Sequence, residues 1–220
     1  MTNIITVDDC KKIIGLHFTT KHNGKMKGMQ SLSTSPLCNK YCKVYSKDAR
    51  KVCSKCYAQT QMKCYTQMQK CFENNTKILT ESIIDEKYLP YINVALFRLE
   101  SFGDIQNEIQ VINYFNLCNK NKHVQFALWT KNPAIINRAI KNGNSKPKNL
   151  QIVLSSHFLN VQADISKWNF VDKIFTVYTK DFIKENNIDT NCKAKSCLAC
   201  QKCYHKNDEI YINEELRGKM

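Results

Sequence analysis

Between residues 91 and 179 the chain alternates between short apolar runs and amphipathic stretches, and this alternation constrains the fold more than any other feature. The apolar runs cover 91–100, 123–130, 150–156 and 173–179, and helical periodicity marks 105–120 and 133–142. Strands that alternate with helices at this spacing predict parallel strands joined by right-handed crossovers. The sequence therefore predicts an α/β fold, either a parallel-strand partial barrel or an open sheet with helices.

The regions on either side of this alternation are expected to complete one domain over residues 1–220. Apolar residues at three- and four-residue steps predict a helix over 58–85, with the stripe from Met62 to Phe72 as its core face. Residues 209–216 are expected to add a last short strand. An N-terminal cysteine segment (24–60) and a C-terminal cysteine module (190–206) are expected to cap the α/β body, which spans 61–185, as metal-binding segments.

The most specific motif is a group of four cysteines near the C-terminus. Cys192, Cys197, Cys200 and Cys203 lie within 12 residues, and gaps of two residues separate the last three. Repeated short gaps let a chain wrap thiolates around an iron–sulfur cluster, whereas a four-cysteine zinc site commonly uses two separated pairs. The spacing favours a [4Fe–4S] cluster, and zinc is the alternative.

A second group of cysteines lies in the N-terminal segment. Cys53 and Cys56 form a C-x-x-C pair, and Cys42, or Cys38 in its place, supplies an upstream thiol. This group is expected to bind a cluster of its own or to share one with the C-terminal group. The C-x3-C-x2-C spacing of radical S-adenosylmethionine enzymes is absent, so spacing gives no support for that cofactor.

Polar residues follow the predicted strands, where parallel sheets collect functional groups. We expect Arg98 and Glu100, two residues apart, to share a face. Arg98 would clamp an anion or carboxylate, and Glu100 and Asp104 would serve as acid–base or orienting groups. Lys131 and Lys180, after later strands, would help to bind a cofactor. The alternative is an ion pair between Arg98 and Glu100 that closes the mouth of the barrel.

Composition narrows the class of protein. A hydrophobic content of 43% is typical of a chain with a real core, and no run of 18 apolar residues or secretory signal is present. We therefore expect reduced thiols and no membrane partner. The formal charge of +14 suits nucleic acid as a partner, although bound anions or clusters would also offset it. Standard phosphate-loop, dinucleotide, serine-hydrolase and zinc-protease motifs are absent.

Five segments of the chain resemble the gene product 88 type family of phages and of bacterial genomes with phage-like elements. The resemblance covers roughly residues 24–213 and is carried by CSKCYA (53–58), FRLESFGD (97–104), LWTKNP (128–133), VLSS (153–156) and C-x-x-C-x-x-C-Y (197–204). Proteins of this family look like iron–sulfur proteins distantly similar to radical S-adenosylmethionine barrels. The resemblance implies that the working thiols are Cys42, Cys53, Cys56, Cys192, Cys197, Cys200 and Cys203.

The resulting hypothesis is an iron–sulfur protein with one or two clusters and a redox or radical-type role at a polar site beside a cluster. Two alternatives remain open, a zinc-stabilised basic protein that binds nucleic acid and a non-catalytic electron carrier. The expected location is the cytoplasm of a host bacterium. The sequence leaves open whether the protein is an enzyme, what its substrate is and how it assembles.

Overall fold

A six-stranded, all-parallel sheet forms the centre of the structure, a computed structural model that describes residues 4–216. The strands are β1 (Gln30–Leu32), β2 (Leu96–Leu99), β3 (Gln125–Thr130), β4 (Leu150–Ser155), β5 (Lys173–Tyr178) and β6 (Tyr211–Glu215). Their order in the sheet is their order in the chain, with β1 and β6 at the two edges. The predicted α/β fold is confirmed, in its open-sheet form.

Helices fill most of the connections between strands. They are α1 (Val7–Ile14), α2 (Lys40–Tyr45), α3 (Tyr57–Cys64), α4 (Thr66–Glu81), α5 (Glu108–Lys120), α6 (Pro133–Lys141), α7 (Lys180–Asn186) and α8 (Cys197–Cys200), with 3-10 turns at Gly24–Met26, Val52–Lys55 and Glu86–Tyr88. Local sequence sets their starts: the Asn107 side chain accepts a hydrogen bond from the Gln110 N–H, and Pro133 begins α6.

One face of the sheet packs against α4, α5 and α6 to form the main core. Leu99, Leu128 and Ile152 project from neighbouring strands onto this face. Tyr114 of α5 and Ile136 of α6 meet them and are completely buried. Helices on this face cover the apolar residues that a parallel sheet presents there.

The C-terminal cysteine segment covers the opposite face. The strands contribute apolar side chains to a second cluster that also contains Tyr204, namely Leu96, Ala127, Val153, Phe175 and Ile212. Cys192, Cys197 and Cys203 pack against this cluster, which we call the second sheet face. The C-terminal module is thus seated on the sheet itself.

One prediction about the N-terminal half needs correction, and one element there was missed. The helix expected over 58–85 is interrupted at Tyr65, whose backbone lies outside the helical region and whose side chain is 62% exposed, so α3 and α4 are separate. Strand β1 was not predicted, because its three residues carry no strand pattern of their own. Within residues 4–216 no helix combines the length and the apolarity needed to cross a membrane.

Candidate functional site

The four C-terminal cysteines lie around one small cavity on the second sheet face. Cys192, Cys197, Cys200 and Cys203 all line this cavity, together with Tyr204 and Ile212. All four are free thiols. Helix α8 places Cys197 and Cys200 at its two ends, so the two-residue gap turns both side chains toward the same side of a single helical turn. The structure therefore brings together the residues that the spacing predicted as one group.

Positively charged side chains lie beside these thiols, and Lys202 lines the cavity itself. The Lys25 ammonium donates to the Cys192 sulfur at 3.3 Å and also forms an ion pair with Glu214 at 2.8 Å. Arg98 projects from β2 onto the same sheet face, with its guanidinium carbon 4.1 Å from the centre of the Trp129 ring. The buried Nε of Arg98 has no hydrogen-bond partner among the described residues. The Lys25 ammonium and the Arg98 guanidinium thus lie on the sheet face that carries the four cysteines, where their charge would stabilise thiolates.

Burial controls the protonation of the thiols on this face. It raises the pKa of Cys203 to about 12, although the Arg98 charge acts in the opposite direction. Burial also raises the pKa of Cys197, and the Arg98 charge again opposes the increase. Burial raises the pKa of Cys192 as well, and there the Lys25 ammonium opposes it. These thiols therefore keep their protons at neutral pH unless a metal ion or another strong electrophile displaces them.

The N-terminal cysteines lie in the long connection that follows β1. Cys42 is in α2, Cys53 is in the turn Val52–Lys55, and Cys56 precedes α3. Burial raises the pKa of Cys42, and the charges of Asp104, Cys56 and Cys53 raise it further. The three thiols are therefore close enough to interact electrostatically, whereas the side chain of Cys38 is exposed.

Neither cysteine group is arranged around a single metal position. Over residues 4–216, no set of three or more His, Cys, Asp or Glu side chains is positioned to hold a metal ion. The donor chemistry nevertheless fits a thiolate-bound metal, because each group consists of free thiols that share one environment. The ligand sets stay predictions.

The strand ends do form one polar cluster, centred on Asp104. This buried carboxylate accepts hydrogen bonds from the Thr130 hydroxyl and from the Lys131 N–H, the latter at 2.8 Å. The Lys131 ammonium reaches the Ser155 hydroxyl at 2.7 Å, which links the ends of β3 and β4. Burial raises the pKa of Cys53, and the Lys131 charge opposes this increase. The polar cluster therefore adjoins the N-terminal cysteines.

Tyr41, which sequence reasoning did not single out, ties the N-terminal cysteine segment to this cluster. Its hydroxyl donates to the Lys131 carbonyl at 2.6 Å and hydrogen-bonds the His157 Nε2 at 3.0 Å. Its ring stacks on Tyr45 with centres 4.0 Å apart. Lys25 was missed in the same way, since nothing in its local sequence distinguishes it from the other lysines.

The expectation that Arg98 and Glu100 share a face is wrong. Strand β2 ends at Leu99, and Glu100 adopts a left-handed φ of 57°, which turns its side chain away from the face that carries Arg98. The Glu100 carboxyl is buried against α5, where it accepts from the Gln110 amide at 2.6 Å and the Tyr114 hydroxyl at 2.5 Å.

Thr34 completes the surroundings of Glu100 by donating its N–H at 3.1 Å and its hydroxyl at 2.9 Å. Burial raises the pKa of Glu100 to about 8, and these hydrogen bonds oppose the increase. No ion pair joins Glu100 to Arg98 in the described part of the chain, so the alternative of a closing salt bridge is also wrong. Lys180 lies exposed at the start of α7, with no hydrogen bond to the Asp104 cluster.

Comparisons with known proteins give one match. Searches of curated proteins and of solved structures return no match. The family model described as gene product 88 matches residues 11–210, which is most of the chain and includes both cysteine groups and the strands β1 to β5. All the segments that carried the resemblance lie within the matched residues, and the chain is a member of the gene product 88 family of phage-type proteins.

Proposed function

We propose that this chain is an iron–sulfur protein in which Cys192, Cys197, Cys200 and Cys203 bind one [4Fe–4S] cluster. The observation that carries the proposal is the placement of four free thiols around one cavity on the second sheet face. Their spacing, with three cysteines at successive two-residue gaps, favours a cluster over zinc.

The charges around this cavity support the same assignment. Four thiolates on a cluster carry net negative charge, and Lys25, Arg98 and Lys202 lie close enough to these cysteines to act on them electrostatically. Arg98 stacks on Trp129 and has no carboxylate partner in the described chain. Its positive charge is thus available to a thiolate cluster, a role that differs from clamping a substrate.

Cys42, Cys53 and Cys56 form the proposed second ligand set. They adjoin Asp104 and Lys131, the polar cluster at the carboxyl ends of the strands, where parallel α/β proteins bind their substrates. A cluster held by these thiols would supply one-electron chemistry. In this arrangement Asp104 and Lys131 would orient a substrate, whereas Glu100, enclosed by Thr34, Gln110 and Tyr114, would hold the fold together.

Anaerobic purification followed by iron, sulfide and zinc analysis tests the proposal. We expect about eight irons and eight sulfides per chain for two [4Fe–4S] clusters, and about four of each after Cys200→Ala or after the combined change of Cys42, Cys53 and Cys56 to Ala. Cys64→Ala is the matched control, since Cys64 is an exposed free thiol outside both groups.

Three outcomes would overturn parts of this assignment. Full iron retention in Cys200→Ala would remove the C-terminal ligand set, and full retention in the triple variant would remove the second set. Zinc in stoichiometric amount without iron would favour the zinc-stabilised, nucleic-acid-binding alternative.

A further inference from the structure

A larger cavity, separate from both cysteine groups, opens beside the sheet edge formed by β1. Its volume is about 590 Å³, which lies within the range of small-molecule sites. Its walls come from the segment 17–26, from α3 and α4, and from the loop that follows β2. No cysteine of either proposed ligand set lines it. Lys25 lines both this cavity and the smaller one, so the cavity adjoins the C-terminal cysteines without containing a proposed metal ligand.

One wall is aromatic. The rings of Tyr57 and Phe102 meet edge to face at 5.6 Å, and Phe102 also contacts Phe72 at 5.5 Å. A hydrogen bond of 2.8 Å from the Tyr57 hydroxyl to the Ser101 carbonyl holds the first ring in place, yet Tyr57 is 58% exposed. The wall thus offers the exposed face of Tyr57 and part of the half-buried Phe102, and aromatic surface of this kind suits a planar ring.

Another part of the lining carries basic side chains. It contains His17, Lys21, His22 and Lys25, and the lining includes no Asp or Glu. Lys25 forms an ion pair with Glu214, whereas Lys21 is exposed and forms no ion pair within residues 4–216. The His22 ring is fixed by a 2.9 Å hydrogen bond between its Nε2 and the Ser31 hydroxyl. An anionic group entering here would meet one free ammonium and two imidazoles with no competing carboxylate.

We infer that this cavity binds a nucleoside phosphate, with the base against Tyr57 and Phe102 and the phosphate at Lys21 and His22. A planar base joined to a phosphate would contact both the aromatic and the basic parts of the lining. A base alone or a phosphate alone would contact only one of them. A nucleoside phosphate could come from two sources, a free nucleotide or one nucleotide of a single-stranded nucleic acid. The net charge of +14 is compatible with either.

Calorimetric titration of the anaerobically purified full chain tests the inference with AMP, adenosine, inorganic phosphate and a short oligoadenylate. AMP should bind more tightly than adenosine or phosphate. Lys21→Glu should weaken AMP binding roughly tenfold and leave adenosine binding unchanged, because the lost contact is to the phosphate. Phe102→Leu should weaken AMP and adenosine alike, by roughly fivefold, because it removes a ring from the stacking wall.

Lys148→Glu is the matched control, as Lys148 is exposed in the loop before β4 and does not line the cavity. It makes the same change in net charge, so it should leave AMP binding within about twofold of wild type if the site is local. Oligoadenylate that binds far more tightly than AMP, and that also depends on Lys21, would identify nucleic acid as the source. Equal affinities would identify the free nucleotide.

The inference fails if AMP gives no binding heat at millimolar concentration. It also fails if AMP binds no better than adenosine, or if Lys21→Glu and Lys148→Glu weaken binding equally. Because the cavity contains no proposed metal ligand, the AMP titrations and the iron analysis test different proposals. Loss of iron in the cysteine variants would bear only on the clusters, and AMP affinity would bear only on this cavity.

Discussion

Replacing Glu100 by Gln tests whether this carboxyl carries a proton in the folded protein. Burial raises its pKa from an ordinary value of 4.5 to about 8, while hydrogen bonds from Tyr114 and Thr34 oppose the increase. The folded state therefore binds more protons than the unfolded state between these two values. The stabilisation from Glu100 is fully present below pH 4.5 and is lost as the pH rises through about 8.

The size of the effect follows from the difference between the two pKa values. A change from 4.5 to 8 corresponds to about 5 kcal/mol in the free energy of unfolding across the whole range. A narrower window is cleaner, because burial lowers the pKa of His157 to about 4 from 6.5 and gives a contribution of opposite sign between those values. Between pH 6.5 and 9, titration of Glu100 should remove about 2 kcal/mol.

Urea unfolding at several pH values across this window provides the assay, with metal content matched between samples. The free energy of unfolding of wild type should fall by about 2 kcal/mol relative to Glu100→Gln, whose side chain cannot titrate. Glu81→Gln is the control, because Glu81 is exposed, and this variant should follow wild type. If wild type and Glu100→Gln give parallel curves, Glu100 is already ionised at pH 6.5 and the burial argument is refuted.

Two further substitutions probe the framework of the site, with urea unfolding as the measurement in both cases. Gly103→Ala should cost roughly 3 kcal/mol, because Gly103 has a φ of 81° and an added Cβ would lie 2.5 Å from a backbone oxygen. Gly143→Ala, with a φ of 91° and open space around it, should cost roughly 1 kcal/mol, and equal losses would contradict the clash. Asp172→Ala should cost roughly 2 kcal/mol, since it removes a half-buried ion pair of 2.6 Å and the acceptor of the Ile152 N–H. Lys87→Ala breaks an exposed ion pair and should change stability by less than about 0.5 kcal/mol. A loss in Lys87→Ala as large as in Asp172→Ala would contradict the argument that burial makes the Asp172 interactions stronger.

Much of the architecture was readable from local patterns. The four apolar runs predicted as strands contain β2, β3, β4 and β5, and the two amphipathic stretches between them contain α5 and α6. Parallel sheets bury both faces, so their strands are continuously apolar and stand out against the polar loops. The cysteine spacing likewise predicted a C-terminal group, because gaps of two residues keep side chains close whatever the rest of the chain does.

The three-residue strand β1 shows what local sequence could not decide. Its residues form a strand because the edge of β2 and the backbone of Thr19 supply hydrogen-bond partners, and both exist only in the folded chain. The long connection after β1 then brings Cys42, Cys53 and Cys56 to Asp104, which is distant in sequence. Such juxtapositions depend on the closure of long loops, and no local propensity encodes them.

Glu100 shows the same limit at a single residue. Alternation along a strand predicted that it would share a face with Arg98, and this rule holds only while the strand continues. The structure ends the strand at Leu99, and the donors of Thr34 and Tyr114 surround Glu100 in a left-handed conformation. The sequence alone thus determined the strands β2 to β5, the helices α5 and α6, and the grouping of the cysteines along the chain. Tertiary packing decided which charged residues face the thiols and which are buried, because burial and pairing depend on contacts between segments far apart in the chain.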